Sequence, residues 1–480
     1  SLTDYQVDYR TEGFFTRARY NYNNKYYADA SFRRDGTSRF SRSSRWGNFW
    51  SVGGSWIISK EDFLSPYANT IANLKLRASY GEVGNDAAAG YYAYMALYTL
   101  RQNANQSALT IGQNPNENLI WETSSSSNVA LEGRLFKRAN FVVEYFDKRS
   151  KNLLFDVSLP FSAGGTSTTS AQAVITKNIG SISNRGLELT VDVDVVKGSA
   201  FNWNVGANAT WMTNKILTLP EENRQNGIVS GLFKRMEGRS IYDFWTFQYV
   251  GVDQMTGNSL YLPDTENYNV NGSAPGKGAI PAANLVEING QYYTNYNTYA
   301  KRDFSGSAIP KVFGSFNTLF NYKDFSLSGL FTYALGGKTY DYSYQDLMSM
   351  SGAVSTLHSD VMKSWNGVPA GMTATSPNRI DPNGTPILDF SRNDRTNGTS
   401  TRFLQDGSYL VIKNIALGYK LPKSLLSRLD LSSVSVNVAV ENLATFTKLQ
   451  GMNPQQAFNG VHDNAYVTPR TVSFGINIGL

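Results

Sequence analysis

What most constrains this chain is apolar/polar alternation with a period of two residues. At the C-terminus Val472, Phe474, Ile476, Ile478 and Leu480 alternate with Thr471, Ser473, Gly475, Asn477 and Gly479. Leu187, Leu189, Val191, Val193 and Val195 alternate in the same way with Glu188, Thr190, Asp192 and Asp194, and similar runs cover 201–211, 325–333 and 434–440. Successive side chains of a strand point to opposite faces, so each run is a strand with one apolar face and one small or polar face. A soluble β-sandwich produces the same alternation. The pattern therefore fixes the strands without fixing what covers their apolar face.

Connection lengths carry more information. Strands are expected at about 12–22, 26–34, 48–59, 72–81, 122–134, 139–150, 184–197, 200–213, 311–321, 324–336, 408–420, 432–442 and 470–480. Lys137-Arg138, Lys197-Gly198 and Lys323-Asp324 mark tight turns, whereas 82–121, 151–183, 214–310, 337–407 and 443–469 are long. Every long connection takes an alternate position, so in an up-and-down meander all of them leave from one end. Outer-membrane β-barrels show this asymmetry, with short periplasmic turns and long extracellular loops. On that parity the last strand brings Leu480 to the periplasmic end. Segment 241–250 is strand-like as well, but it falls inside a long extracellular connection. Thirteen strands, an odd number, do not close a bacterial barrel of the usual even kind. An open edge in lipid leaves backbone groups unpaired at several kcal/mol each. The remaining strands are therefore expected on a longer parent chain or on a partner chain.

Composition removes the competing classes. Charged residues make up 17% of the 480, while Gly (41), Tyr (29) and Phe (26) are abundant, which suits strands and turns better than helices. Mean hydropathy is −0.34, and no stretch approaches the roughly 18 apolar residues of a membrane helix. Cysteine is absent, which removes disulfide scaffolds, thiolate metal sites and cysteine nucleophiles. The net charge of +6 is thinly spread, and pairs such as Arg33-Arg34 read as turn and rim charges, not as a nucleic-acid patch. No catalytic constellation stands out, and neither a metal nor another cofactor is expected. The two histidines, His358 and His462, lie in separate long loops without metal-ligand spacing. Asp253, Asn258 and Asp264 offer the hard oxygens calcium takes, although ordinary loop polarity explains them better. Ser1 opens directly into polar sequence, so the leader of an exported protein is expected to lie outside this chain.

Seven stretches, in order, resemble the SusC-like family of TonB-dependent transporters. They are Arg33 to Phe40 (RRDGTSRF), Leu74 to Gly81 (LKLRASYG) with Gly84-Asn85, and Asn118 to Thr123 (NLIWET). Asn178-Ile179-Gly180 with Asn184 to Glu188 (NRGLE) follows, then Tyr409 to Asn414 (YLVIKN), Glu441-Asn442-Leu443 with Thr445 to Thr447, and Ser473-Phe474-Gly475. The resemblance implies an all-β, transmembrane, antiparallel up-and-down barrel of 22 strands, of which residues 1–480 supply about the last thirteen. It also implies an N-terminal plug and first strands upstream of Ser1, a SusD-like lipoprotein lid, and energy from the inner-membrane TonB complex acting through the absent plug. The setting it implies is the Gram-negative outer membrane. One departure is the terminal Leu480, where such barrels usually end in an aromatic residue.

The expected role is therefore the wall of a transporter that imports an oligosaccharide or a peptide. A passive or structural barrel is the alternative, and a soluble glycan-binding β-protein a third reading. Substrate contacts are expected from aromatic residues of the long loops and loop edges: Tyr91, Tyr92, Tyr94, Tyr242, Trp245, Tyr340, Tyr342 and Tyr344. Arg33, Arg34 and Asp35 are read as an ion-pair network at the rim, with Arg34-Asp35-Gly36 turning the chain out of its strand. Tyr20, Tyr22, Trp121, Trp203 and Trp211, near strand ends, are read as part of an aromatic girdle.

Overall fold

The computed structural model describes residues 7–103, 106–158, 174–270, 276–349, 356–426, 431–456, 458–463 and 466–479. Leu480 lies outside these. Thirteen antiparallel strands form one sheet in simple chain order. They are β1 (Thr11–Tyr22), β2 (Tyr26–Thr37), β3 (Trp46–Ile57), β4 (Ile71–Asn85), β5 (Glu122–Leu135), β6 (Ala139–Ser158) and β7 (Val174–Lys197). The series continues with β8 (Phe201–Thr218), β9 (Val312–Tyr322), β10 (Phe325–Leu335), β11 (Tyr409–Lys420), β12 (Ser433–Thr447) and β13 (Thr471–Gly479). All thirteen sequence-derived strands are present. The main differences are longer β6 and β7, which rise past the expected ends into the long-loop side. Among the described residues β1 and β13 each have a neighbour on one side only, and no helix is long and apolar enough to cross a membrane.

Register separates the two faces of the sheet. One row of cross-strand partners runs Phe474, Val438, Leu417, Leu327, Phe320, Trp203, and the row beside it runs Gly475, Asn437, Gly418, Ser326, Asn321, Asn202. The apolar rows face outward: Phe474 is 79% exposed, Ile476 67% and Leu417 49%. An apolar face running the width of a thirteen-stranded sheet is far outside what soluble monomers leave in water. Lipid satisfies it at no cost. The opposite face carries ion pairs: Arg17 Nε to Asp29 at 2.7 Å, Arg77 to Glu132, and Arg77 Nη2 to Glu144 at 2.5 Å. It also lines a concavity of about 810 Å³ bounded by residues such as Ser31, Arg33, Ser51, Ser79 and Asn128.

Connections alternate as the sequence parity required. Over their described residues, 23–25, 58–70, 136–138, 198–200, 323–324 and 421–432 close one end, and the other end holds 38–45, 86–121, 219–311, 336–408 and 448–470. At the tight end Asn23 and Asn24 (φ 51° and 52°) and Phe136 and Lys137 (φ 51° and 57°) take the left-handed conformation that hairpin turns demand. Asparagine adopts it readily; an exposed phenylalanine does not. Aromatic residues gather near this end, with Tyr22, Tyr26 and Trp56 in contact and Phe320 stacked on Trp203 at 5.4 Å. Of the expected girdle, Trp121 belongs elsewhere. It packs inward against Phe40 and Phe49 and donates from Nε1 to the Arg45 carbonyl.

The long connections are folded. Residues 219–311 form a four-stranded and most of a five-stranded sheet, and the latter is completed by Ile380–Asp381 from the next long connection. The strand-like segment 241–250 supplies Asp243–Phe247 and the start of Tyr249–Asp253. Most of the completely buried large side chains sit here: Phe244, Val252, Leu260, Tyr261, Tyr340 and Phe403 are at most 1% exposed. A barrel wall one strand thick has no interior of its own; the chain's packed core lies at the mouth.

Candidate functional site

Two clusters build the mouth, and recurring motifs hold the first together. Strand β2 runs on through Arg34-Asp35-Gly36 to Thr37, so the turn falls later than the sequence suggested. The extension survives because Gly36 is paired on both sides, with Glu12 and Trp46. Alternation then splits the expected rim network. Arg33 pairs with Asp35 at 2.6 Å on the inner face, while Arg34 sits over the Trp46 ring at 5.2 Å on the other. Beyond the strand, Thr37 Oγ1 and the Tyr9 hydroxyl donate to one Asp86 carboxylate oxygen at 2.6 and 2.9 Å. Arg39 Nη1 donates to the carbonyls of Asp86 and Ala89, and its guanidinium lies against the rings of both Tyr9 and Tyr91. Phe40, completely buried, packs with Ala89, Ala93, Leu119 and Trp121.

Five further motifs are joined by hydrogen bonds. Asn178 accepts from the Ile120 amide and donates to the carbonyls of Ile120 and Asn152. Glu122 accepts from Asn85 Nδ2 and from the Leu154 amide, each at 2.9 Å. Asn442, held at φ 52° beside a register shift between β11 and β12, accepts from Lys413 Nζ and donates to the Pro469 carbonyl. Residues distant in sequence are thus the polar fasteners of the long loops. Composition alone could not pair them.

The second cluster gathers Phe244, Ala308, Tyr340 and Phe403, with Phe233, Tyr242 and Tyr344 against it. The eight aromatic candidates divide between the two. Tyr91, 42% exposed, meets Tyr9 edge-on, and the Tyr92 hydroxyl accepts from the Asp8 amide. Tyr94 is half-buried nearby and uses its carbonyl to receive the Asn116 amide. Tyr242 packs edge-on to Phe233 and Phe458, and Trp245 packs on Phe304 with Lys234 Nζ over its ring at 4.0 Å. Tyr342 is 41% exposed. Tyr344 stands edge-on to His358 at 4.9 Å and donates to Asp360 Oδ2; burial and that carboxylate push its hydroxyl up to about 12. Tyr340 is completely buried and donates to Gln345 Oε1 at 2.6 Å, so it supports the loops from inside. Asp253, considered for calcium, has both carboxylate oxygens engaged by Arg379. The two histidines, remote in sequence, both line one cavity of about 520 Å³. No sequence signal linked them: a two-residue parallel bridge sets His462 beside Asp341, while His358 stands against the Tyr344 ring three residues further on.

Over residues 1–443 the sequence matches the family described as TonB dependent receptor-like, beta-barrel. The chain belongs to that family. Among its relatives, TonB-dependent receptor P3 of Formosa agariphila is 28% identical, over 97% of this chain and 45% of that protein. TonB-dependent receptor SusC of Bacteroides thetaiotaomicron is 26% identical, over 97% of this chain and 43% of that protein. The structure of the RagAB peptide transporter superposes with a TM-score of 0.78 at 24% identity, over 98% of this chain and 48% of that one. The chain thus spans about half the length of the curated relatives it matches. The SusC-like resemblance read from the seven motifs agrees with the relation to SusC.

Arg39 offers a direct test of the mouth architecture. Arg39→Ala removes two charge-assisted hydrogen bonds and a cation resting on two tyrosine rings. Amides of residues 89–95 are expected to lose about 2–3 kcal/mol of exchange protection, with β2 to β4 unaffected. Unchanged exchange in that segment would show that Arg39 does not hold it.

Proposed function

We propose that the chain forms the wall and outer mouth of a Gram-negative outer-membrane transporter that imports an oligosaccharide or a peptide, driven by the TonB complex. The observation that carries this reading is the two-faced sheet. Its outward face suits hydrocarbon, its inward face is a polar, ion-paired surface, and the long connections among the described residues stand at one end. On this reading residues 1–480 are the C-terminal part of a barrel whose plug and first strands belong to the rest of the protein, and TonB acts through that plug. A SusD-like lipoprotein covers the mouth. That partner is supported by the relation to SusC, and the peptide option by RagAB, a peptide transporter of the same fold. Tyr91, Tyr92, Tyr94, Tyr242, Trp245, Tyr342 and Tyr344 are proposed to contribute to substrate contact, with Tyr340 behind them.

Uptake by cells carrying the full protein is the test. Labelled maltooligosaccharides and a mixed peptide pool should identify an imported class, and import should stop when TonB is deleted or the proton gradient is collapsed. Import that continues in both conditions would identify a passive barrel.

A further inference from the structure

The end closed by the tight turns carries most of the chain's positive charge. Lys25, Lys60, Lys137, Arg138, Lys323 and Lys423 lie in those turns, and Lys197 and Lys420 are the last residues of β7 and β11. Against these eight cations stand Glu61, Asp62 and Asp324, a surplus of five among the described residues in a chain whose net charge is +6. Two of the cations are matched: Lys25 meets Glu61 at 3.1 Å, and Lys197 lies 3.9 Å from Asp194. Lys60 and Lys137 donate to uncharged groups, the Asn24 carbonyl and Asn69 Oδ1. Arg138, Lys323, Lys420 and Lys423 are exposed and have no carboxylate partner among the described residues.

Aromatic residues fix the depth of these charges. Tyr22 and Tyr26 flank the first turn, Tyr322 and Phe325 flank Lys323-Asp324, and all four are 43–53% exposed. Lys323 Nζ lies over the Tyr322 ring at 5.5 Å. The apolar outward rows thus run down to the last residue of these strands. At about 3.3 Å per residue, the turn cations stand one or two residues beyond the hydrocarbon, at the depth of lipid phosphates. One turn displays an apolar side chain at a cost. Phe136 is 64% exposed with φ 51°, held there by its amide bond to the Thr70 carbonyl at 2.7 Å. Phe63 and Tyr67, in the turn to which it is bonded, are 62% and 58% exposed.

We propose that this end is a binding surface for anionic phospholipid, with Lys60, Lys137 and Arg138 meeting lipid phosphates and Phe136 entering the acyl boundary. A zwitterionic phospholipid carries its own ammonium beside the phosphate, so cations without partners gain little from it. A phosphate lacking that ammonium supplies the charge they are missing. The surface is continuous with the lipid-facing rows of the sheet, which places lipid, not a soluble partner, against it. The inference rests on the outer-membrane reading, in which this end faces the periplasm, and adds a lipid preference to it.

The full-length protein in detergent is titrated with dioleoylphosphatidylglycerol or dioleoylphosphatidylethanolamine, and bound lipid is measured by native mass spectrometry. Phosphatidylglycerol is expected to bind at least about fivefold more tightly, with the difference shrinking as salt rises. Lys137→Gln combined with Arg138→Gln should cut that ratio at least about twofold, whereas Lys277→Gln, in a mouth connection, should leave it unchanged. Phe136→Asn suits the left-handed backbone and should weaken both lipids alike, which a purely structural role in the turn would not do. Retained heat-modifiability on gels shows that each variant is folded. Equal binding of the two lipids or an unchanged ratio in the double variant overturns the proposal. Tighter binding of poly-glutamate than of phosphatidylglycerol also overturns it, by pointing to an acidic periplasmic protein. Those outcomes leave the membrane reading standing when the barrel still inserts into vesicles. Failure to insert into vesicles of either lipid would overturn that reading instead.

Discussion

Phe316→Arg is expected to destabilise the barrel by about 2–4 kcal/mol in refolding from urea into lipid vesicles, whereas Asn317→Arg should stay within about 0.5 kcal/mol. These neighbours occupy mid-height of β9, and period two sends them to opposite faces. Phe316 is on the outward face, 37% exposed and stacked on Phe331 at 4.4 Å with the rings 7° from parallel. Arginine there puts a charge at the middle of the hydrocarbon and removes that stack. Asn317 lies in the polar rows with Asn208, Ser315 and Asn321, where a charge meets water or polar groups. The contrast tests the membrane reading directly. If both substitutions had similar small effects, the apolar face would not be in lipid.

A second large effect is expected at the join between two long connections. Arg379 binds Asp253 through both carboxylate oxygens, at 2.8 and 2.9 Å, with 11% and 0% of the two side chains exposed. The Met255 amide and the Thr256 hydroxyl also donate to Asp253, and Arg379 reaches the Ala374 carbonyl. Arg379→Met leaves a buried carboxylate unpaired, a loss of about 3–5 kcal/mol. It should appear as faster amide exchange in Tyr249–Asp253 and Ile380–Asp381, with the barrel strands unchanged. Adding Asp253→Leu should recover most of the loss, because the cost lies in the orphaned charge. Full exchange protection in the single variant would refute this assignment. Burial pushes the Asp253 carboxyl up, but Arg379 and the Met255 amide outweigh it and hold it below the ordinary range. The pair's contribution is therefore complete above the unfolded carboxylate range, near pH 4, and fades as pH falls through the lowered folded value.

Much of this architecture was legible in the residues. In β13 and β7 the alternation gave the strand and its apolar face, because a side-chain period of two is imposed by the backbone whatever the surroundings. Loop parity gave the end from which the long connections stand. Boundaries were less legible: Gly36 looked like a turn and lies within β2, since pairing on both sides outweighs glycine's local preference. Trp121 looked like a girdle residue, yet it turns inward to meet Phe40 and Phe49. Its environment is decided by loops that the wall's periodicity does not describe.

The sequence by itself determined that this is a β-meander with one face for lipid and one for a polar interior, and it identified the family through seven ordered motifs. It also determined which segments are long. Only the tertiary structure decided what those segments do. Arg379 meeting Asp253, Asn178 meeting Ile120 and His462 meeting Asp341 are contacts between residues far apart in the chain. Local chemistry repeats along a strand and leaves a period to be read. A long loop folds by single, non-repeating contacts, whose partners are set by three-dimensional packing and leave no such trace.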